Sequence, residues 1–297
     1  MSIDVLSSLN EAVHLAKGKG VTVVDRQVVH GGDANDSYKL ILSDGGSLFL
    51  KANSISNADF FRAEAEGIAA IKSTNAVRVP DIYAIGTDNG YSFLLMEYIE
   101  RAYCAPNFWE YLGLCLANMH MADASSFVPE GNYGFQSDNY IGAGAQKNAP
   151  KSSWIEFFSD CRLRPQFELA SKYFDDNIIK LANKLLDNLD RYLFEPEKPS
   201  LLHGDLWSGN FMTDEKGYPM LIDPAVYVGC NEADIAMTEL FGGFDRRFYE
   251  SYFNVIDQVL GYSDRRDLYN LYHLTNHLNL FGSAYLSAVV RTIKKFS

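Results

Sequence analysis

The chain has 297 residues, 47% apolar and 22% charged, and a formal charge of −12 from 26 basic and 38 acidic side chains. That length allows two packed lobes with a cleft between them, and the composition is that of an ordinary globular protein. The acidic balance argues against nucleic acid or an anionic membrane as the main partner, because both call for clustered Lys and Arg. It suits an amine-bearing substrate, or serves solubility alone. No apolar run approaches the roughly 20 residues that span a bilayer, and residues 1–10 lack the pattern of a secretory signal. The four cysteines, Cys104, Cys115, Cys161 and Cys230, form no Cys-x-x-Cys pair. They read as reduced thiols of a cytoplasmic protein rather than as a disulfide frame or zinc site.

The first hundred residues carry strand patterns at 21–24, 37–42, 47–52 and 91–98, with Asp44-Gly45-Gly46 as a hairpin turn. Between two of them lies Gly31-Gly32-Asp33-Ala34-Asn35-Asp36. This is either a glycine-rich lid, with Gly31, Gly32 and Asn35 over a phosphate, or a plain turn. Lys51 ends an apolar strand, and residues 57–74 read as one helix with Asn57 as a possible cap. Phe61, Glu64, Ile68 and Ile71 recur at helical spacing on one face. Glu64 is thus on the inward side, where an unpaired charge is costly, and a Lys51–Glu64 pair is the physical expectation. Glu66 falls on the other face and is expected in solvent. The apolar strand Leu94-Leu95-Met96-Glu97-Tyr98-Ile99 runs into the expected lobe boundary. There Met96 and the backbone of Glu97 and Ile99 would meet a nucleotide base, if the strand is more than a buried one.

From residue 100 the pattern turns helical, with helices expected near 107–121, 154–173, 175–193, 234–240, 247–260 and 265–290. Residues 123–151, rich in Gly, Asn, Ser and Ala, read as a long ordered loop. The expected architecture is therefore α+β, with a strand-rich lobe at 1–99 and a helical lobe at 100–297.

The strongest chemical signal is Leu201-Leu202-His203-Gly204-Asp205-Leu206-Trp207-Ser208-Gly209-Asn210. Asp205 and Asn210 have the Asp-x-x-x-x-Asn spacing of a kinase catalytic loop. The Asp can take the proton of an attacking hydroxyl, and the Asn offers a carbonyl oxygen to Mg²⁺. The next segment reads as a β-hairpin turning at Lys216-Gly217, which would set Asn210 and Asp223 opposite each other at its open end as two oxygen ligands. A surface hairpin with polar ends is the plainer alternative. His273 and His277 have metal-ligand spacing but no Glu beside His273, and read as satisfied helix histidines. Asp234 either braces the catalytic loop or caps the helix after it.

These residues resemble the fructosamine/ketosamine kinase family, a branch of the aminoglycoside phosphotransferase-like group with a protein-kinase-like fold. The resemblance covers about residues 28–281. It is carried by His203–Asn210, by Asp223-Pro224-Ala225-Val226-Tyr227, by Glu232–Phe244, by Asn279-Leu280-Phe281-Gly282, and by Asn139-Tyr140-Ile141-Gly142 with Gln146, Asn148 and Trp154. It implies a small antiparallel-sheet lobe with one helix and a larger helical lobe. It also implies transfer of phosphate from ATP, with Mg²⁺, to the 3-hydroxyl of a ribulosamine or fructosamine, on a small molecule or a glycated protein, as deglycation repair. Asp205 is then the catalytic base, Asn210 and Asp223 are the Mg²⁺ ligands, Lys51 binds the ATP phosphates, Glu64 positions Lys51, and Trp207 lines the sugar pocket. Asp33 stands where some members carry a redox-active Cys, so no disulfide switch is expected there. Ala34 and Val228-Gly229-Cys230-Asn231 also depart from the family pattern. A kinase for another small alcohol or amino sugar, and a non-catalytic nucleotide-binding module, are the alternatives.

Overall fold

The computed structural model describes residues 5–30, 35–128 and 132–297. Gly31 and Gly32, with Asp33 and Ala34, lie outside the described residues. The chain divides into two compact units, residues 1–108 with 211–224, and residues 109–210 with 225–297. Relative to a cut at residue 99, the first unit extends to Phe108 and gains a hairpin from far along the chain.

The first unit is a six-stranded sheet with a helix on each face. Its elements are β1 (Val5–Leu6), α1 (Leu9–Lys17), β2 (Val23–Val28), β3 (Asp36–Leu42), β4 (Ser47–Ser54), α2 (Ala58–Ser73), β5 (Ile82–Asp88) and β6 (Tyr91–Glu97). Strand order is β1-β5-β6-β4-β3-β2. The β1–β5 pair is parallel and the others are antiparallel, so the sheet is mixed rather than purely antiparallel. It also carries two helices rather than the one expected. Strand alternation sorts the two cores. Leu48 and Leu50 of β4 pack with Leu9, Ala12 and Val13 of α1. Phe49, one position out of phase, packs on the other face with Phe61 and Ala65 of α2 and Leu94 and Met96 of β6. Each fully buried leucine of this kind contributes roughly 1.5–3 kcal/mol. Lys51 follows Phe49 by two and so shares the α2 face.

The second unit holds α3 (Phe108–Met121, its first residue counted with the first unit), the short pair β7 (Asn139–Ile141) and β8 (Gly144–Gln146), α4 (Trp154–Phe157), α5 (Arg164–Ala170), α6 (Asp176–Leu186) and β9 (Ser200–Leu202). The hairpin β10 (Phe211–Thr213) and β11 (Pro219–Leu221) belongs to the first unit. The second unit resumes with β12 (Tyr227–Gly229), α7 (Glu232–Leu240), α8 (Arg246–Phe253), α9 (Tyr262–Phe281) and α10 (Leu286–Phe296). The single helix expected at 265–290 is two: Gly282 takes φ +91° and closes α9 on the Leu278 carbonyl. The helix expected at 154–173 is interrupted by a π-helical turn at Phe158–Leu163. The loop at 123–151 contains the β7–β8 pair.

Candidate active site

In the first unit Lys51 Nζ lies 2.6 Å from Glu64 Oε1 and also contacts Asp223 Oδ1. The alternation of β4 and the apolar stripe of α2 bring lysine and glutamate together. Both are nearly buried, whereas the Asp223 side chain is 43% exposed. Burial alone opposes the ammonium, but Glu64 and Asp223 outweigh it and raise the Lys51 pKa. Burial pushes the Glu64 carboxyl up against the pull of Lys51, and the Asp223 charge pushes the same way. One ammonium thus serves two carboxylates. Glu66 is half-buried rather than in solvent.

The hairpin pairs Phe211 with Leu221, Met212 with Met220 and Thr213 with Pro219. Counted outward from its open end, Asn210 stands one residue beyond the last pair and Asp223 two. They are therefore offset by one position rather than opposite. Asp223 leaves the strand with φ +54°, a left-handed conformation that is uncommon outside glycine. Arg78, which sequence reasoning passed over, ties this hairpin to β6. Its guanidinium reaches Asp214 and Glu215 at 2.9 and 2.8 Å and Glu97 at 2.9 Å. Glu97 N–H donates to Asp81 O, so in a base contact Glu97 would act through its carbonyl. Met96 is buried between Phe49 and Ile82, and Ile99 follows, also buried. Asn35 Oδ1 accepts from Asn53 Nδ2 at 2.8 Å, which fastens it to the end of β4.

In the second unit the loop after β9 is held at several points. Asp234 accepts the N–H groups of His203 at 2.7 Å and Gly204 at 2.9 Å. It also lies 3.2 Å from His120 Nε2. Burial works against its charge, but His120 and the Gly204 N–H outweigh that and hold Asp234 below the usual carboxylate range. Of its two expected roles Asp234 has the bracing one, since α7 begins at Glu232 with Asn231 at the cap position. Gly204 has φ +81°, and a Cβ there would stand 2.0 Å from Ala225 O, so no other residue fits. Asn210 Nδ2 donates to Asp205 O at 2.8 Å and Oδ2 at 3.1 Å. The five-residue spacing thus closes a ring that fixes the two side chains together. The amide nitrogen is engaged there, which leaves the Asn210 carbonyl oxygen as the end for a cation. The Trp207 indole is 40% exposed and lies over the Gly209 backbone, where a Cβ would meet it at 2.3 Å.

His277 Nδ1 donates to His273 O at 2.8 Å, whereas the buried His273 Nδ1 has no partner among the described residues. His273 is therefore not the satisfied histidine expected. Burial, with His277 adding to it, drives its pKa down to about 3. It stays neutral when folded, while the unfolded chain takes up a proton below about pH 6.5. Its contribution is present above that pH and lost as pH falls toward 3. His273→Leu should flatten this acid limb by about 2 kcal/mol at pH 5. Thermal unfolding of both proteins at pH 7 and pH 5 checks it; an equal fall in Tm would mean that His273 is not held neutral.

The family model described as fructosamine kinase matches residues 5–297. A chloroplastic protein-ribulosamine 3-kinase of Oryza sativa subsp. indica is 41% identical over 286 residues, 95% of this chain and 81% of that protein. A "probable ketoamine kinase" of Synechocystis is 36% identical over 97% of this chain and 95% of its own. A crystal structure from Haemophilus somnus 129PT, provisionally named a fructosamine-3-kinase, superposes with a TM-score of 0.87 at 28% identity, covering 97% of this chain and 96% of that one. An aminoglycoside phosphotransferase in complex with ADP and hygromycin B shares the fold, with a TM-score of 0.65 at 14% identity, covering 97% and 96% of the two chains. With its α+β units and its Asp205–Asn210 loop, the chain belongs to the fructosamine kinase family, ATP-dependent phosphotransferases of the protein-kinase-like fold.

Proposed function

We propose that this kinase transfers the γ-phosphoryl group of ATP to the 3-hydroxyl of a ketosamine, a ribulosamine or fructosamine carried by a small amine or a glycated protein. The phosphate then leaves with the sugar and frees the amine, a deglycation. The observation that carries the chemistry is the braced loop. Asp234 fixes the backbone just before Asp205, and Asn210 fixes Asp205 itself, which is the preorganisation that in-line phosphoryl transfer demands. The acceptor class rests on likeness to the ribulosamine and ketoamine kinases.

In this reading Asp205 takes the hydroxyl proton, Lys51 holds the ATP phosphates, and Glu64 keeps Lys51 in place. Gly31, Gly32 and Asn35 would cover the phosphates, and Met96, Glu97 and Ile99 would meet the adenine. The Asn210 carbonyl and the half-exposed Asp223 carboxylate are hard oxygen donors of the kind Mg²⁺ prefers, and these two residues would hold it. When bound, the ion would neutralise the phosphate charge and draw the phosphates into line. Trp207 offers an apolar face to the C–H groups of a sugar. The free thiols suit the cytoplasm: three of the four are buried, and burial pushes Cys115 up to about 11 and Cys230 up to about 12.

The test is ADP release with free and protein-linked ribulosamines and fructosamines beside aminoglycosides and choline. Turnover of the ketosamines with a 3-phosphate product is expected; turnover confined to aminoglycosides or choline would overturn the assignment. Trp207→Ala should reduce kcat/KM for the ketosamine by about tenfold, equivalent to ~1.4 kcal/mol, with Mg-ATP affinity unchanged. Loss of ATP binding with unaltered sugar kinetics would make Trp207 structural.

A further inference from the structure

Arg162 has no exposed surface, and among the described residues no carboxylate lies within ion-pair distance of it. Its guanidinium donates instead to Lys147 O at 2.5 Å, Cys161 O at 2.9 Å and Asn148 Oδ1 at 2.8 Å. It sits over the rings of Tyr227, at 3.9 Å, and Phe157, at 4.6 Å, while its Nε finds no acceptor among the described residues. Arg265, also buried, is by contrast paired with both oxygens of Glu232. The local sequence builds the Arg162 seat. Pro165 has no N–H to return to the carbonyl four residues back, and that carbonyl, Cys161 O, is the one Arg162 takes. The π-helical turn at Phe158–Leu163 inserts a residue and rotates the helix face, in a segment where Phe157, Phe158, Cys161, Arg162 and Leu163 are all buried.

From Arg162 a one-way chain of hydrogen bonds leads to the catalytic loop. Asn148 Nδ2 donates to Asn139 Oδ1 at 2.9 Å, and Asn139 Nδ2 donates to Val226 O at 2.7 Å. Gln146 Nε2 donates to Asn139 Oδ1 at 2.8 Å and to Ala225 O at 3.0 Å. Tyr272 OH donates to Gln146 Oε1 at 2.7 Å. Ala225 in turn gives its N–H to His203 O at 2.8 Å, and its carbonyl presses on Gly204, where a Cβ would be 2.0 Å away. An amide can be reversed end for end, because it both donates and accepts, but guanidinium only donates. Arg162, together with the Ser137 carbonyl that accepts from Asn148 Nδ2 at 3.0 Å, therefore sets the sense of Asn148, and through it that of Asn139. A charge with no carboxylate beside it is costly to bury, and three aromatic rings surround the site to pack a hydrophobe of the same volume, though the three oxygens that Arg162 serves would then lose its donors.

We propose that Arg162 is a positioning residue for phosphoryl transfer. By orienting the amides of Asn148 and Asn139, with Gln146 alongside, it seats residues 225–226 against His203 and Gly204 and so aims Asp205. The proposal rests on the reading of the Asp205 loop as catalytic. Two full-length variants test it. Arg162→Met keeps the volume and removes the donors. Asn148→Asp can pair with Arg162 but cannot donate to Asn139. Both should fold with a lowered Tm, because Arg162→Met takes the donor from Lys147 O, Cys161 O and Asn148 Oδ1 and Asn148→Asp takes one from Ser137 O and Asn139 Oδ1. Both should also lower kcat for a ribulosamine on the order of 10²-fold, the cost of a small misplacement at a reacting centre. KM for ATP should not move. Hydrogen exchange at the His203 and Gly204 amides should quicken in both. Folded variants with wild-type kcat and unchanged exchange would overturn the proposal, and if Arg162→Met does not fold, Asn148→Asp decides alone. Should the wild-type enzyme turn over no ketosamine, the assigned substrate falls, and the exchange measurement still decides the role of Arg162.

Discussion

Asp205→Asn is expected to abolish most turnover while leaving fold and ATP affinity near wild type. A sugar hydroxyl is a poor nucleophile until its proton is taken, and a positioned general base typically contributes ~10²–10⁴-fold in rate. The loop should survive the substitution. The Asp234 bonds to His203 and Gly204 do not involve the Asp205 side chain. The Asn210 bond to Asp205 O is to backbone, and an Asn at 205 keeps an oxygen for the second Asn210 bond, now to Asp205 Oδ2. What disappears is a carboxylate able to accept a proton. If Asp205 merely orients the hydroxyl, the amide should do nearly as well. Single-turnover rates for a ribulosamine separate the two views, and a chemical step within a few-fold of wild type would exclude an essential base here.

How much of this was legible in the sequence follows from how local each signal is. The Lys51–Glu64 pair could be read because two short periodicities, a strand's and a helix's, each fix the face of one partner. The Asp205–Asn210 ring is five residues wide and announces itself by spacing. The α1 helix and the two-residue β1 escaped notice because β1 is short and pairs with Ile85 and Gly86, some eighty residues away. The break at Gly282 was hidden by polar and apolar residues that continue the helical pattern on both sides. The π-turn at Phe158–Leu163 lies in a stretch buried nearly all round, where periodicity cannot reveal a rotated face. Arg78 and Arg162 bring together groups up to 137 residues apart in the chain. The one local clue to Arg162 was its place between Cys161 and Leu163, three residues before Pro165. The one-residue offset of Asp223 comes from the hairpin register, which spacing alone does not specify.

Lys51→Met should cost the enzyme roughly 10²–10³-fold in kcat, the scale seen when one preorganised charge or donor is removed from a reacting centre. The difficulty is that the same substitution damages the fold. It leaves Glu64, almost buried, and Asp223 facing each other with no cation between them. Removing one partner of a buried pair typically destabilises by about 3–5 kcal/mol, and less here because Asp223 is partly in water. Low activity in the single variant is therefore ambiguous. The double variant Lys51→Met/Glu64→Gln resolves it. The uncharged amide no longer needs the ammonium, so Tm should recover most of its loss. The phosphates of ATP would still lack their cation, so kcat should stay low. Glu64→Gln alone should fall between, since Lys51 then keeps only Asp223 as its partner and is held less firmly. Thermal unfolding and steady-state kinetics on the three proteins give the answer. A double variant that regains both stability and turnover would show that Lys51 serves the fold of the first unit and not the phosphates, and the nucleotide site would have to be sought elsewhere.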